Sequence, residues 1–207
     1  METLRGVLQG DIRIHNHCYR ADEMANMIEL SKEFGYEIAA FHHAVEAYKV
    51  APLIAENNIC AVVWADWWGF KQEAFDMIRE NAALVDFAKA CAIIHSDDDI
   101  QIQRLPQEVA KVISASKRMG YDISKGNAIK WLTSNSAKSI GLEDKIGSLK
   151  AGMNADVVLW SGDPFSVYTK ADKVWIDGAL RYDRKDSSLT PTSDFNLGII
   201  SPTGDRP

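Results

Sequence analysis

Cysteine, long apolar runs and excess positive charge are all scarce in this sequence of 207 residues. No apolar run approaches the roughly 18 residues that a membrane-spanning helix needs, and the opening METLRGVLQGDIRI lacks the continuous apolar core of a signal peptide. The formal net charge of −6 gives no support to binding of nucleic acid or anionic membranes, both of which favour basic patches. The sequence therefore predicts a cytoplasmic globular protein that binds neither nucleic acid nor membrane.

The three cysteines, Cys18, Cys60 and Cys91, are odd in number and widely spaced. That spacing fits neither a disulfide framework nor a metal site built from paired cysteines. Cys60 and Cys91 lie in the apolar, strand-like runs ICAVVWA and CAIIHS. Because free cysteine is among the most frequently buried residues, we expect buried free thiols at both positions.

Strand-like apolar runs alternate with helical patterns from residue 11 to about residue 140. The four predicted strands are DIRIHNH, EIAAFHH, ICAVVWA and CAIIHSD. Helices are predicted at 20–34, 45–56, 73–89, 104–119 and 125–139. Four strands each followed by a helix, spaced by about 25 to 35 residues, predict an α/β fold with a parallel sheet or barrel and right-handed crossovers.

The sequence changes character after Gly141. The segments GSLKAGMNADVVLWSGDPF and KVWIDGALRYD are short strand patterns punctuated by Gly, Asp and Pro, which predict a small β appendage. From Asp183 onward the sequence is polar and rich in turn residues, which predicts an extended or loosely docked tail. We therefore divide the chain into a domain of residues 1–142 and an appendage with tail of residues 143–207.

All five histidines lie at the carboxyl ends of predicted strands: His15 and His17 in the first, His42 and His43 in the second, and His95 in the fourth. In parallel sheets and barrels the ligand site forms at this carboxyl edge. Because side chains alternate along a strand, His42 and His43 are expected to oppose each other. Imidazoles converging with carboxylates suit a divalent transition metal such as zinc. A metal pocket is one interpretation, and for any single histidine a structural role stays open.

Three aspartates, Asp97, Asp98 and Asp99, follow the fourth predicted strand. We expect Asp98 or Asp99 to cap the next helix, because a carboxylate accepts the free N–H groups of a first helical turn. Asp97, nearest the strand end, is the better candidate for chemistry. Three tryptophans follow the third predicted strand: Trp64, Trp67 and Trp68. Lining of a substrate pocket and ordinary packing are both open for these side chains.

Three segments resemble the metal-dependent amidohydrolases, particularly the branch related to imidazolonepropionase. HCYRADEM at 17–24 with FHHAVEAYKVAPLIAENNICAVV looks like the fifth and sixth strands of that family's barrel, and AIIHSDDD looks like the eighth. TSNSAKSIGLEDKIGSLKAGMNADVVLWSGDPF is similar to the C-terminal signature, where the barrel ends and a small β-sandwich begins. The resemblance therefore implies a partial (β/α)8 barrel, strands five to eight, with part of a β-sandwich appendage.

The resemblance also implies site residues. His17 matches the fifth-strand metal ligand, His43 the sixth-strand ligand, and Asp97 the eighth-strand aspartate, which contacts metal and transfers the proton of the attacking water. The implied cofactor is Zn²⁺ or another divalent metal. Residues close to the first ligand are the candidates for binding substrate: His15, Tyr19 and Arg20.

The activity that the resemblance implies is hydrolysis of an amide or cyclic amide carbon–nitrogen bond, other than a peptide bond, by a metal-bound hydroxide. The family's first-strand HxH pair and fourth-strand lysine have no counterpart, since no histidine precedes His15 and no lysine precedes Lys32. We therefore expect a truncated enzyme of impaired activity, in which the metal can be absent. The alternative is a non-catalytic remnant or an assembly partner that supplies half of a metal site. A half-barrel leaves two sheet edges unpaired. We therefore expect the protein partner to be a second copy of the chain, in a homo-oligomer, or a complementary N-terminal half. The expected small-molecule partner is an amide substrate.

Overall fold

The computed structural model describes residues 1–190; residues 191–207, which include most of the predicted tail, lie outside the described residues. The chain divides into two compact units, the first comprising residues 1–153 with 165–167 and the second beginning at residue 154. None of the helices within the described part combines the length and apolar character that crossing a bilayer requires. The predicted boundary between residues 142 and 143 separates a barrel from its appendage, whereas the two units above are defined by packing. That boundary therefore stays a prediction.

A four-stranded parallel sheet forms the centre of the first unit. Its strands β1 (Ile14–Cys18), β2 (Ile38–His43), β3 (Cys60–Val63) and β4 (Cys91–Ile94) lie in the order β1-β2-β3-β4. All four overlap the predicted strands, β1 extending one residue beyond its prediction, and neighbours in sequence are neighbours in the sheet, as the βα repeat predicts. Because the four strands are parallel, their carboxyl ends meet at one edge. This is a mixed α/β fold with a parallel sheet.

Helices connect and follow these strands. The α-helices are α1 (Glu2–Leu8), α2 (Ala21–Phe34), α3 (Ala51–Glu56), α4 (Asn81–Phe87), α5 (Leu105–Arg118), α6 (Lys125–Ala128) and α7 (Ser134–Ser139). Short 3₁₀ turns occupy Ala47–Lys49, Gln72–Ala74, Gln101–Arg104, Ile129–Leu132 and Ser187–Leu189. The predictions for α2 and α5 are confirmed to within a residue or two at each end, whereas α1 carries no periodic pattern that would have predicted it.

The expectation of continuous helices at 45–56, 73–89 and 125–139 is wrong. In the first segment Pro52 occupies the first turn of α3, where its missing N–H and fixed φ favour a helix start. In the second, α4 begins only at Asn81, whose side chain binds the backbone of another loop. In the third, Thr133 has φ −127° and ψ −95°, which interrupts the helical path before α7.

Apolar side chains bury both faces of the sheet. The cluster on one face packs against the helices and includes Phe41, Val85, Val109 and Trp131, all fully buried. The cluster on the other face consists of five residues from β2, β3 and β4: Ala40, Cys60, Val62, Cys91 and Ile93. Because β3 and β4 are buried at every position, the sheet has the near-continuous apolar strands typical of parallel sheets covered on both sides.

Cys60 and Cys91 form a disulfide, so the expectation of two free thiols is wrong. The two residues are register partners on neighbouring parallel strands, with Cα atoms 4.4 Å apart, and both side chains belong to the same apolar cluster. Sequence spacing does not reveal this proximity, because the pairing depends on the register of β3 against β4. Cys18 is a free, buried cysteine, and burial raises the pKa of its thiol to about 11.

The second unit contains a three-stranded antiparallel sheet of β5 (Val157–Trp160), β6 (Ala171–Ile176) and β7 (Ala179–Asp183), in that order. Asp177 and Gly178 join β6 to β7 with φ values of +50° and +77°. Positive φ at both central residues is typical of the tight two-residue hairpin turn. The short strands predicted after Gly141 are therefore present, and their assignment to a β appendage stays a prediction.

The disulfide predicts a thiol count. Denatured but unreduced protein should expose one reactive thiol per chain, Cys18, and reduction should raise the count to three. Reduction should also lower the free energy of unfolding by about 2–4 kcal/mol, because the open chain gains conformational freedom in the unfolded state. Titration with a thiol reagent and urea denaturation measure both effects. Cys18→Ser is the control and should bring the unreduced count to zero; three reactive thiols without reductant would refute the pairing.

Candidate functional site

All five imidazoles lie together at the carboxyl edge of the parallel sheet. His15 Nδ1 is hydrogen-bonded to His42 Nε2 at 2.9 Å, and His17 Nδ1 to His43 Nε2 at 2.8 Å. The ring of His95 lies 5.5 Å from the ring of His43, centroid to centroid. Residues from three strands therefore meet in one cluster, as the positions of the histidines after predicted strands indicate.

The expectation that His42 and His43 oppose each other is wrong. Both rings contact His17, at centroid distances of 5.1 and 4.7 Å. The physical reason is the backbone of His43, whose φ of +68° departs from extended geometry. Strand alternation holds only for extended residues, so the left-handed conformation at the end of β2 brings a second imidazole into the cluster.

Hydrogen bonds from two other elements hold the turn after β2 in place. The N–H of Ala44 donates to the carbonyl of Cys18, and that of Glu46 donates to the carbonyl of Tyr19. The buried amide of Asn81, at the start of α4, donates to the carbonyls of Ala44 and Val45 at 3.0 Å. Its oxygen also accepts from the N–H of Tyr48 at 2.9 Å. These contacts fix the direction in which His43 points.

Burial governs the protonation of the cluster. Desolvation lowers the pKa of His43 to about 4, partly opposed by the charge of Asp97, and lowers that of His95 to about 3. The pKa of His42 is also lowered, first by burial and then by His15 and His17. Because an uncharged imidazole keeps a lone pair, these rings are in the form that binds metal ions at neutral pH.

Two ring nitrogens of the cluster are buried without a hydrogen-bond partner: Nδ1 of His43 and Nε2 of His95. The carboxylate of Asp97 lies just beyond hydrogen-bonding range, with Oδ2 3.9 Å from Nδ1 of His43. Asp97 has φ +53°, and its side chain is about half exposed. Asp98 caps the following 3₁₀ turn through Oδ1, which accepts from the N–H groups of Ile100 and Gln101 at 2.9 and 2.7 Å. This confirms the expected capping role and leaves Asp97 beside the histidines.

The three predicted substrate-binding residues have different surroundings. Both ring nitrogens of His15 are engaged, one with His42 and the other with the carbonyl of Ser139 at 3.1 Å. Tyr19 stacks on His43, with centroids 4.8 Å apart and planes 18° apart. Arg20 precedes α2 and pairs with Asp22 at 3.0 Å, with its side chain exposed. Tyr19 is thus placed at the cluster, whereas the contacts of Arg20 lie at the start of α2.

A cleft of about 690 Å³ opens beside the cluster. It is lined by Tyr19, Trp64, Asp66, Trp67, Trp68, Phe70, Lys71 and Asp97. All three tryptophans that were predicted as possible pocket residues therefore line this cleft. Trp64 also has a packing role, because its ring is buried and its Nε1 donates a hydrogen bond to the carbonyl of Ser96. Phe70 and Lys71 were not predicted as site residues, because residues in a connecting loop carry no periodic or motif signal.

The chemistry of the donor set fits a divalent metal. The ligands that sequence analysis assigned, His17, His43 and Asp97, provide two neutral imidazoles and one carboxylate, a set found in catalytic zinc sites. His17 is exposed, and Nδ1 of His43 lacks a partner, so both can meet an incoming ion. Within residues 1–190 no group of three or more His, Cys, Asp or Glu side chains is already arranged around a metal position.

Comparison with known proteins points to the amidohydrolases. Residues 116–182 match the model of the amidohydrolase family. The amidohydrolase tasK of Hapsidospora irregularis is 29% identical over 186 residues, covering 88% of this chain and 18% of tasK. An amidohydrolase structure from Thermotoga maritima shares 31% identity with a TM-score of 0.78, over 88% of this chain and 46% of that one. An adenosine deaminase from Xanthomonas campestris with bound zinc is similar in fold, with 16% identity and a TM-score of 0.68 over 95% of this chain and 51% of its own.

These matches show that the chain is similar to amidohydrolases, in one segment by the family model and over most of its length by individual relatives. The parallel α/β architecture agrees with the same neighbours. The chain spans less than half the length of the Thermotoga maritima amidohydrolase and about a fifth of that of tasK.

The amide of Asn81 predicts a large stability effect. Asn81→Ala should lower the free energy of unfolding by about 2–4 kcal/mol, because one backbone N–H and two carbonyls lose their partners in a buried setting. Urea denaturation followed by circular dichroism measures the change. Asn127→Ala is the matched control: Asn127 is exposed, so the change should stay within about 0.5 kcal/mol. Equal stability of the two variants would show that Asn81 does not hold the turn.

Proposed function

We propose that this chain is an amidohydrolase of the imidazolonepropionase-like branch, acting on amide or cyclic amide bonds of small molecules other than peptides. The observation that carries the proposal is the approach of His17 Nδ1 to His43 Nε2, 2.8 Å apart, with the carboxylate of Asp97 next to the same His43 ring. The match to the amidohydrolase family over residues 116–182 supports it. In this proposal β1–β4 correspond to strands five to eight of a (β/α)8 barrel, and β5–β7 to part of its β-sandwich.

His17, His43 and Asp97 would hold Zn²⁺ or another divalent metal. When bound, such an ion polarises a substrate carbonyl and makes water a nucleophile near neutral pH. Asp97 is the base in this scheme, because its half-exposed carboxylate can accept the proton of the attacking water and return it to the departing nitrogen. Tyr19, stacked on His43, fixes the orientation of that ring. His15, with both nitrogens engaged, supports the cluster rather than binding the ion.

We further propose that turnover by this chain alone is low, because the first-strand histidine pair and the fourth-strand lysine of the family have no counterpart in the sequence. The alternative remains a non-catalytic remnant, or an assembly partner that supplies half of a site. One feature favours partners of some kind: within the described residues, β1 pairs only with β2, and β4 only with β3. Such edge strands are templates for pairing with another chain.

Metal content tests the site directly. Protein equilibrated with zinc and passed through a desalting column should retain about one equivalent of metal, as three protein ligands are enough for a catalytic zinc site. His17→Ala and Asp97→Asn should each remove most of it, and hydrolysis of a panel of small amides and cyclic amides should fall in parallel. Inductively coupled plasma mass spectrometry and ammonia or amine release give the two readouts.

Asp99→Asn is the matched control for Asp97→Asn, since Asp99 is exposed two residues farther along the same loop. It should keep the metal content and activity of the unmodified chain. Retention of less than about a tenth of an equivalent by the unmodified chain favours the non-catalytic alternative. Unchanged metal content in His17→Ala would refute that ligand assignment.

The open sheet edges predict self-association. Multi-angle light scattering at micromolar concentration should give the mass of a homodimer or a larger oligomer, because unpaired strand edges are satisfied by pairing between chains. Co-expression with a complementary barrel half should compete with that association. A monomer mass across the micromolar range, with the fold intact by circular dichroism, contradicts the prediction.

A further inference from the structure

The loop after β3 builds a wall of aromatic rings beside the histidine cluster. We call the space lined by Tyr19, Trp64, Trp67, Phe70 and Lys71 the aromatic cleft. Trp64 is 6% exposed and stacks on His43, with ring centroids 4.6 Å apart. Trp67 stacks in turn on Trp64 at 6.2 Å, and Phe70 meets Trp64 edge to face at 5.5 Å. The buried ring thus anchors two others that remain open to solvent.

The outer rings of this wall are unusually exposed for their size. Trp67 is 38% exposed and Phe70 is 56% exposed. Exposed apolar surface rimmed by polar groups marks a ligand groove or an interface. Trp67 and Phe70 belong to the same cleft as Asp97, the carboxylate assigned to the chemistry. A flat apolar group lying on this wall would therefore hold its attached atoms near the histidine cluster.

One positive charge stands at the aromatic cleft without a carboxylate partner. Lys71 Nζ lies 3.9 Å above the ring of Tyr19 and donates a hydrogen bond to its hydroxyl. Among the described residues no carboxylate forms an ion pair with Lys71, whereas the cleft carboxylate of Asp66 is paired with Lys111 at 3.0 Å. Asp97 is committed to the cluster in the proposed function. Among the residues that line the cleft, Lys71 therefore supplies the positive charge that a ligand can meet.

We propose that the aromatic cleft selects ligands in which a planar apolar group is joined to a carboxylate, with the rings of Trp67 and Phe70 holding the planar group and Lys71 the carboxylate. In the setting of the proposed function, on which this assignment of substrate class rests, the substrate is an anionic amide with an aromatic or similarly flat substituent. Binding itself needs neither metal nor turnover, so it can be tested apart from catalysis.

A matched pair of probes tests the charge preference. N-benzoylglycine and N-benzoylglycinamide share the benzoyl amide, and only the first carries a negative charge. Isothermal titration calorimetry in buffer with EDTA, where no metal can bind the carboxylate, should give at least about threefold tighter binding of N-benzoylglycine, the size expected for one exposed ion pair. A ratio below threefold, or no binding of either probe, overturns the proposal.

Two variants separate the charge from the rings. Lys71→Gln should bring the ratio of the two dissociation constants below about threefold, while Lys117→Gln, at an exposed position of α5, should leave it unchanged. Trp67→Ala should weaken both probes by about threefold or more and preserve the ratio. A preserved preference in Lys71→Gln, or unchanged affinities in Trp67→Ala, refutes the corresponding half of the assignment. Circular dichroism of each variant checks that the fold is retained.

The binding test of the aromatic cleft and the test of the hydrolase proposal can fail separately. Charge-selective binding in EDTA without hydrolysis under zinc-replete conditions would retain the cleft assignment and refute the hydrolase. Hydrolysis of uncharged amides, with no charge preference in binding, would retain the hydrolase and refute the cleft assignment.

Discussion

The turn after β2 is the constraint on which the site depends. His43 and Ala44 both have positive φ, at +68° and +36°, a conformation that costs a non-glycine residue roughly 1–2 kcal/mol. Backbone hydrogen bonds to Cys18 and Tyr19 and the side chain of Asn81 offset that cost. Strained backbone held by its surroundings is typical of functional sites, and here the strain has an identifiable result. It aims His43 at His17 instead of at the opposite face of the sheet.

Much of the fold follows from periodicity, because the four strands are apolar throughout or end in histidines, and α2 and α5 carry clear amphipathic patterns. Two of the failures, the disulfide and the late start of α4, have one physical cause, which is contact between distant residues. Cys60 and Cys91 are 31 positions apart and meet only through the register of β3 with β4. α4 begins at Asn81 because its amide binds a loop more than 30 residues upstream. No local pattern encodes either contact.

The candidate site was predictable to a similar extent. Clustering of the histidines followed from strand ends alone, and the roles of His17, His43 and Asp97 came from the family resemblance. The sequence could not show which ring nitrogens of the cluster have hydrogen-bond partners and which have none. His15 has both satisfied, whereas His43 and His95 each bury one without a partner. Burying an unpaired polar atom is costly, so these two nitrogens are the places where a structural explanation of the histidines is weakest.

The proposed metal ligands and the residues proposed to select the ligand lie on different parts of the parallel sheet. The proposed ligands lie at the carboxyl ends of β1 and β2 and in the loop after β4. The loop after β3 supplies no proposed ligand and instead carries Trp64, Trp67, Phe70 and Lys71. Because each loop leaves the sheet from its own strand, changes in the β3 loop can alter the aromatic wall and its charge without moving His17 or Asp97. Trp64 is the exception, since its ring stacks on both His43 and His95. A substitution at Trp64 would therefore disturb the cluster, whereas the exposed Trp67 and Lys71 are the positions at which ligand preference can change independently.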